Sequence, residues 1–349
     1  MDTLWLKPEE ISVAARLLRE GQLVAFPTET VYGLGANAWS EEAVAGIFLA
    51  KGRPQDNPLI VHIAGRAQVE TLAADIPPEA EKLMERFWPG PLTLLFPKKA
   101  EVPELVCAGL ETVAIRQPAH PLALELIRQA GVPLAAPSAN LSGRPSPTCA
   151  EHVWEDLAGR IAAILDGGPV GVGVESTVVD LLGPEPMILR PGGITREELE
   201  EVLGRPVLLD PDLLGAEERP RSPGMKYRHY APAAPLEVLD GPERELIWQT
   251  ILQEATPDTG LLLSEEGAAY LAGRCPGQFQ FLVLAPLNQP EKAAQRLYSA
   301  LRTMDKAGVK RILAEAWPRQ GLGLALMNRM EKAAGGQCRR VEVQQLPEN

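Results

Sequence analysis

Cysteine and histidine are scarce in this chain, with four of each among 349 residues. The cysteines, Cys107, Cys149, Cys275 and Cys338, are far apart and form no C-x-x-C pair, so the sequence encodes neither a disulfide framework nor a zinc module. The histidines show no i, i+4 pairing, so a catalytic metal held by the protein itself is not expected. The sequence therefore predicts no metal site and a protein of a reducing compartment.

Long apolar runs and an excess of positive charge are also missing. No run approaches the ~18 apolar residues that span a membrane, and the first residues lack the basic-then-apolar order of a secretory signal. The net charge is −12, and most of the acidic excess falls in residues 1–205. A protein that mainly coats nucleic acid or an anionic membrane needs a basic surface. We therefore expect a cytoplasmic protein with no membrane partner.

Several common signatures are absent as well. The sequence has no G-x-x-x-x-G-K-[ST], no G-x-S-x-G and no H-E-x-x-H. Gly171-x-Gly173 is only a weak dinucleotide signal, because Ser176 stands in the place of the third glycine and no strand directly precedes it. No NAD site is expected.

The order of apolar patterns in residues 1–205 predicts an α/β domain. Strand patterns cover 23–27, 59–63, 92–96, 113–116, 134–136, 162–165, 177–181 and 187–190, and helical patterns cover 8–20, 40–51, 78–87 and 121–130. Thr195 and Glu198 have the spacing of a capping box and begin a further helix.

Residues 206–235 form a predicted linker with six prolines and no helical or alternating period. A loop of about 30 residues is more often functional than not. Residues 236–349 alternate strand patterns (236–239, 261–263, 281–284, 312–316) with helical ones (243–255, 291–306, 324–334), which predicts a small parallel sheet.

Polar residues follow several predicted strands, where open α/β sheets bind their ligands. In residues 27–35, two threonines and a glutamate precede Gly33 and Gly35, which would let the backbone turn closely past a ligand, although a capped turn explains the segment as well. His62 lies in an apolar strand pattern, where a lone histidine is more often a core residue than a ligand. Arg116 closes a buried-looking strand, so either a buried acid or a bound anion must neutralise it.

Three further segments indicate an anionic ligand. Lys51 and Arg53 suit phosphate or carboxylate, although cations are also common at the end of a helix. Residues 137–148 combine hydroxyls, an amide and backbone N–H groups in a loop typical of an anion nest, or simply of turns. Arg190 closes another strand. Cationic groups inside an acidic domain favour a polyanion such as a nucleotide.

Seven segments in this order resemble the YrdC-like family of L-threonylcarbamoyladenylate synthases. They are PTETVYGLG (27–35), KGRPQDNP with LIVH (51–62), FWPGPLT (87–93), TVAIRQP (112–118), PSANLSG (137–143), VESTVVD (174–180) and ILRPGG (188–193). SPGMKYRHYAP at 222–232, followed by a small α/β domain, resembles the long two-domain form of that family.

The resemblance implies a YrdC-like catalytic domain at 1–205 with a twisted mixed sheet and a large cavity, a linker or lid at 206–235, and a Rossmann-like α/β domain at 236–349. It implies a nucleotidyltransferase that condenses L-threonine, bicarbonate or carbon dioxide, and ATP to threonylcarbamoyl-AMP and pyrophosphate, with Mg²⁺ carried by ATP. The product would pass to a tRNA threonylcarbamoyl transferase complex that forms threonylcarbamoyladenosine at position 37 of ANN-decoding tRNAs. Weak RNA binding is also implied.

The same resemblance implies roles for residues that match the motifs. The implied L-threonine site consists of Thr30, His62, Arg116, Ala136 and Ser176, with Arg116 pairing the carboxylate. The implied ATP site consists of Arg53, Asn57, Thr112, Ser138, Ser146, Arg190 and Tyr230, with Tyr230 folding over the nucleotide as a lid. The implied catalytic residues are Lys51, Arg53, Ser138 and Asn140.

Two other functions compete with this one. A double-stranded RNA-binding maturation factor is disfavoured by the acidic charge of residues 1–205. A carbamoyltransferase is disfavoured because its relatives carry zinc-finger or acylphosphatase modules that this sequence does not show.

Overall fold

Two units make up the fold. The computed structural model describes residues 2–214, 229–274 and 279–342, of which 2–214 belong to the first unit and the rest to the second. The predicted linker falls partly on residues 215–228, which lie outside the described residues. Residues 206–214 include a two-residue strand and a 3₁₀ helix at Pro211–Leu214.

Within residues 2–214, eleven strands form one mixed sheet. They are β1 Leu4–Leu6, β2 Val24–Phe26, β3 Gly33–Asn37, β4 Ile60–His62, β5 Leu92–Pro97, β6 Thr112–Arg116, β7 Leu134–Ala135, β8 Ala163–Leu165, β9 Thr177–Asp180, β10 Met187–Arg190 and β11 Leu208–Leu209. Their order is β1-β8-β2-β3-β7-β4-β6-β5-β9-β10-β11, with parallel and antiparallel pairs both present. The expected mixed sheet is confirmed.

Eight α-helices belong to this unit within residues 2–214. They are α1 Ile11–Arg19, α2 Glu41–Lys51, α3 Arg66–Leu72, α4 Pro78–Phe87, α5 Glu104–Cys107, α6 Pro121–Ala130, α7 Ala150–Leu157 and α8 Arg196–Leu203. Three of them, α2, α6 and α8, end at a glycine in the left-handed conformation. Ser40 Oγ accepts a hydrogen bond from the backbone N–H of Ala43 and caps α2, and Thr195 with Glu198 forms the predicted capping box of α8. The apolar pattern did not predict the strands β1, β3 and β11 or the helices α3, α5 and α7.

The pairing of β4 with β6 brings two of the predicted site residues together. These strands are parallel, and His62 lies opposite Arg116 at the carboxyl ends of both. Since parallel strands end at the same edge of a sheet, two polar residues far apart in sequence become neighbours. The strands around them are rich in buried apolar residues such as Val61 and Ile115, so this edge rests on a packed core.

One prediction about the glycines of residues 27–35 is wrong. Gly33 and Gly35 lie within β3, paired antiparallel with β2, and do not form a turn that passes a ligand. A Cβ at Gly35 would lie 2.8 Å from Cε1 of Phe26. Gly35 is therefore required by the packing of the buried Phe26 ring against its neighbouring strand.

The second unit has the small parallel sheet that the sequence predicts. Within residues 229–274 and 279–342 the strands are β12 Leu236–Asp240, β13 Thr259–Leu263, β14 Gln280–Val283, β15 Arg311–Glu315 and β16 Cys338–Arg340, in the order β14-β13-β15-β12-β16, all pairs parallel. The helices are α9 Arg244–Glu254, α10 Glu265–Leu271, α11 Pro290–Ala307 and α12 Gly323–Ala333. The buried Glu315 accepts hydrogen bonds from Trp248 Nε1 (2.8 Å) and from the backbone N–H of Ser264, which secures β15 to its neighbours.

Candidate active site

Arg116 is the centre of the first cluster of predicted site residues. Its side chain is buried at the end of β6. Nη1 donates to Thr30 Oγ1 at 2.9 Å, and Nε donates to the backbone oxygen of Gly90 at 3.2 Å. The predicted threonine residues Thr30 and Arg116 are therefore in direct contact.

The partner of the Arg116 charge is a buried acid. Glu29 Oε1 lies 2.7 Å from Arg116 Nη2, and the side chain of Glu29 is only 16% exposed. The sequence left open whether an acid or a bound anion neutralises Arg116, and the structure supplies the acid. Because the two residues are distant in sequence, spacing alone gave no signal for this pair.

A turn orients the hydroxyl of Thr30. Thr28 Oγ1 accepts hydrogen bonds from the backbone N–H groups of Thr30 and Val31, donates to the backbone oxygen of Val31 at 2.6 Å, and lies 2.8 Å from Thr30 Oγ1. Threonine hydroxyls commonly fix turns in this way. The capped turn that the sequence allowed is thus present, and it presents Thr30 to Arg116.

His62 is buried beside this cluster and is uncharged at neutral pH. Burial lowers its pKa to about 3, and the neighbouring charges of Arg116 and Arg190 act in the same direction. Its Nδ1 lies 3.3 Å from the backbone oxygen of Ile60. If Nδ1 carries the proton, as this contact favours, Nε2 is a hydrogen-bond acceptor.

Arg190 and Ser176 form a second cluster. Arg190 Nη2 donates to Ser176 Oγ at 3.0 Å, and Nε donates to the Ser176 backbone oxygen at 3.1 Å. Ser176 Oγ also lies 2.8 Å from Thr93 Oγ1, and all three side chains are buried. A predicted ATP residue and a predicted threonine residue therefore share a hydrogen bond.

Glu175 is a site residue that the sequence reasoning missed. Ser146 Oγ, which was predicted to contact ATP, donates to Glu175 Oε1 at 2.6 Å, and both residues are buried. The backbone passes very closely here, because a Cβ at Gly192 would lie 2.3 Å from both the oxygen of Glu175 and the nitrogen of Thr177. Glu175 lies two residues before β9, and its position as an acid beside a strand is the signal that the sequence offers for it.

Lys51 organises the loop that follows β7. Its side chain is buried, and Nζ donates to the backbone oxygens of Ser138 and Asn140. Ser138 Oγ donates to Asn140 Oδ1 at 2.6 Å. Burial and, second, the charge of Arg53 lower the pKa of Lys51 well below its usual value. Lys51, Ser138 and Asn140, three of the predicted catalytic residues, therefore form one hydrogen-bonded group.

Arg53 and Asn57 lie next to that group. Arg53 Nη2 donates to the backbone oxygens of Asn57 and Pro58 at 3.3 and 3.2 Å. Asn57 is fully buried, and within the described part of the chain neither its Nδ2 nor its Oδ1 has a hydrogen-bond partner. Leaving a buried amide unsatisfied costs about 1–3 kcal/mol, so Asn57 is suited to a ligand that supplies the missing partners.

The three remaining predicted residues are Thr112, Ala136 and Tyr230. Thr112 begins β6, about 13 Å from Arg116 at ~3.3 Å per residue. Ala136 is buried, and its backbone N–H donates to the backbone oxygen of Ile60 at 2.9 Å. Tyr230 belongs to the second unit, where its buried ring packs on Tyr298 with centroids 5.4 Å apart. The lid prediction for residues 222–232 falls largely outside the described residues.

Two searches bear on metals and membranes. Among residues 2–214, 229–274 and 279–342, no group of three or more His, Cys, Asp or Glu side chains is placed to hold a metal ion. None of the helices in those ranges combines the length and the apolar character needed to cross a membrane.

Two family models match the chain. The Sua5–YciO–YrdC model, described as "Telomere recombination", matches residues 16–192. The model of the C-terminal domain of threonylcarbamoyl-AMP synthase matches residues 194–335.

Whole-chain relatives agree with these models. The threonylcarbamoyl-AMP synthase of Bacillus subtilis is 53% identical over 341 residues, covering 96% of each chain. That of Pyrococcus abyssi is 51% identical over 332 residues, covering 93% of this chain and 94% of the relative. The crystal structure of Pyrococcus abyssi Sua5 complexed with L-threonine matches with a TM-score of 0.89 and 47% identity, covering 98% of this chain and all of the other.

Proposed function

The chain belongs to the Sua5–YciO–YrdC family and carries the C-terminal domain of threonylcarbamoyl-AMP synthases, and from this premise we propose that it catalyses the formation of threonylcarbamoyl-AMP. The substrates are L-threonine, bicarbonate or carbon dioxide, and ATP, and the second product is pyrophosphate. The whole-chain relatives carry this activity in their names, and one related structure holds L-threonine.

The Arg116 cluster carries the proposal on the threonine side. A buried guanidinium, the Thr30 hydroxyl and the neutral His62 ring lie at one sheet edge. The guanidinium suits the carboxylate of an amino acid. A neutral imidazole and a threonine hydroxyl suit a polar side chain such as the substrate hydroxyl.

The other clusters support a nucleotide. Arg190 joins Ser176 by a hydrogen bond, so the nucleotide would lie beside the amino acid. The buried amide of Asn57 has no hydrogen-bond partner among residues 2–214, 229–274 and 279–342. Lys51 holds the loop of Ser138 and Asn140 in place. The activity is that of a nucleotidyltransferase: the threonine amine takes up carbon dioxide, a carbamate oxygen attacks the α-phosphorus, and pyrophosphate leaves. Such a transfer depends mainly on alignment and charge neutralisation.

A magnesium ion would enter with ATP. Mg²⁺ usually takes one or two protein carboxylates together with phosphates and water, so one acid beside the nucleotide would be enough to hold it. Glu175, bonded to Ser146, is the acid beside the predicted nucleotide residues. The ion would neutralise phosphate charge.

The product would serve tRNA modification. Threonylcarbamoyl-AMP is a labile mixed anhydride, so we propose that a tRNA threonylcarbamoyl transferase complex in the cytoplasm consumes it. Any direct RNA binding by this acidic chain would be weak and would decrease steeply with salt.

The test measures pyrophosphate release and identifies the adenylate by mass. Release should require L-threonine, bicarbonate, ATP and magnesium together, and the Glu85→Gln variant, an exposed change of one charge on α4, should behave as the unaltered protein. Release that is indifferent to threonine would show a different activity.

A further inference from the structure

The Glu29–Arg116 pair is unusual because only one end of it is anchored by hydrogen bonds. Within the described residues, neither carboxylate oxygen of Glu29 has a hydrogen-bond partner, although both are buried. In the part of the chain that the structure describes, the ion pair with Arg116 Nη2, at 2.7 Å, is the one contact that holds this carboxylate. The Glu29 backbone is fixed, since its oxygen accepts from the N–H of Val172 at 2.8 Å. The side chain can therefore turn away without breaking any other bond.

Nη2 is the nitrogen of the Arg116 guanidinium that has no hydrogen-bond partner among the described residues. Nε is bonded to Gly90 and Nη1 to Thr30, whereas Nη2 faces Glu29. A carboxylate that binds a guanidinium with two parallel hydrogen bonds uses two adjacent nitrogens. The carboxylate of an amino acid at Arg116 and the carboxylate of Glu29 thus compete for Nη2, and like charges at such distance repel.

A displaced Glu29 needs a new cation. A buried carboxylate without a partner is strongly destabilising. His62, beside Arg116, is neutral because burial lowers its pKa. The pKa of His120 is also lowered by burial, although the charge of Glu29 acts in the opposite direction. The incoming amino acid brings a positive charge of its own, its α-ammonium.

We propose that Glu29 occupies Arg116 in the empty site, that the carboxylate of the amino acid displaces it, and that the amino acid's ammonium becomes its new partner. The proposal rests on the proposed function, because it takes L-threonine as the ligand of Arg116. Glu29 is then a binding residue for the α-amino group. The exchange selects free amino acids over molecules that have only one of the two charges.

Two threonine analogues test separately the binding of the carboxylate to Arg116 and the binding of the ammonium to Glu29. 3-Hydroxybutanoate lacks the amine, and L-threoninol lacks the carboxylate. Calorimetric titration without ATP would compare both, and L-threonine, on the unaltered protein, on Glu29→Gln and on the control Glu85→Gln. Glu29→Gln should bind 3-hydroxybutanoate at least about tenfold more tightly and L-threoninol at least about tenfold more weakly, because hydrogen bonds to charged groups are worth that much. The control should change neither.

Equal changes for both analogues, or no change, would overturn the proposal. If the unaltered protein fails to bind L-threonine at all, the proposed function fails instead, so the two failures are distinguishable. A second measurement does not depend on the folding of the variant: in a crystal structure of the unaltered chain with L-threonine, Glu29 Oε1 should lie beyond 4 Å from Arg116 Nη2 and within hydrogen-bond distance of the ammonium. A complex that keeps the 2.7 Å pair contradicts the exchange.

Discussion

Replacing His62 by glutamine should remove a specific dependence of stability on pH. Burial, and then the charges of Arg116 and Arg190, lower the pKa of the His62 ring to about 3, against about 6.5 in an unfolded chain. The folded protein therefore binds fewer protons at this position than the unfolded chain between those two values. The free energy of unfolding rises with pH across this interval. The contribution of His62 is fully present above pH ~6.5 and is lost as the pH decreases towards 3.

The size of this effect follows from the difference between the pKa of His62 in the folded protein and in the unfolded chain. Each pKa unit corresponds to about 1.36 kcal/mol, so the full span is worth about 5 kcal/mol, and about 2 kcal/mol is already lost at pH 5. Glutamine has no titratable proton. Between pH 7.5 and pH 5, the free energy of unfolding of His62→Gln should therefore decrease by about 2 kcal/mol less than that of the unaltered protein.

The assay is urea unfolding at several pH values, with the two proteins compared at each. Carboxyl groups titrate equally in both and cancel in the comparison, and a constant loss of stability caused by the substitution does not affect the slope. His120→Gln is the matched control, because His120 is only partly buried and its pKa is lowered less sharply. Parallel pH profiles for the unaltered protein and His62→Gln would refute a buried, neutral His62.

Three further predictions concern the other clusters. Arg116→Ala should weaken binding of L-threonine at least about tenfold while changing that of ATP much less; titration with each ligand measures this, and equal losses would contradict the assignment. Asn57→Leu should be nearly neutral or stabilising in thermal unfolding without ligand, because it removes an unsatisfied buried amide, yet it should weaken ATP binding; unchanged ATP affinity would remove Asn57 from the nucleotide site. Gly192→Ala should destabilise the first unit by more than about 2 kcal/mol, because a Cβ there would collide with the backbone of Glu175 and Thr177, and a denaturation midpoint equal to that of the unaltered protein would contradict the close contact.

The tendency of open α/β sheets to bind ligands at the carboxyl ends of their strands accounts for the part of the site that the sequence could predict. Arg116 and Arg190 lie at carboxyl ends of strands, as the apolar runs before them indicated. His62 also ends its strand, although the sequence pattern placed it within an apolar strand at 59–63. Periodicity also predicted α2, α4 and α6, because each buries an apolar face, and the capping box of Thr195 and Glu198 predicted α8.

Contacts between distant residues account for what the sequence could not predict. The fold brings Glu29 to Arg116, and the sequence spacing of the two residues does not predict this ion pair. The role of Gly35 depends on the Phe26 ring across the strand pair, which no local pattern shows. The bonds from Lys51 Nζ to two backbone oxygens were likewise invisible, because a lysine at the end of a helix suggests a solvent-facing charge.

The in-register pairing of His62 with Arg116 limits which changes of sequence the candidate active site can accept. A one-residue slip of either strand would turn its side chains to the opposite face of the sheet, so neither residue can be shifted alone. New preferences for other amino acids are therefore most accessible through the turn at Thr28–Val31 and the segment before β9, whose side chains can change without moving a strand.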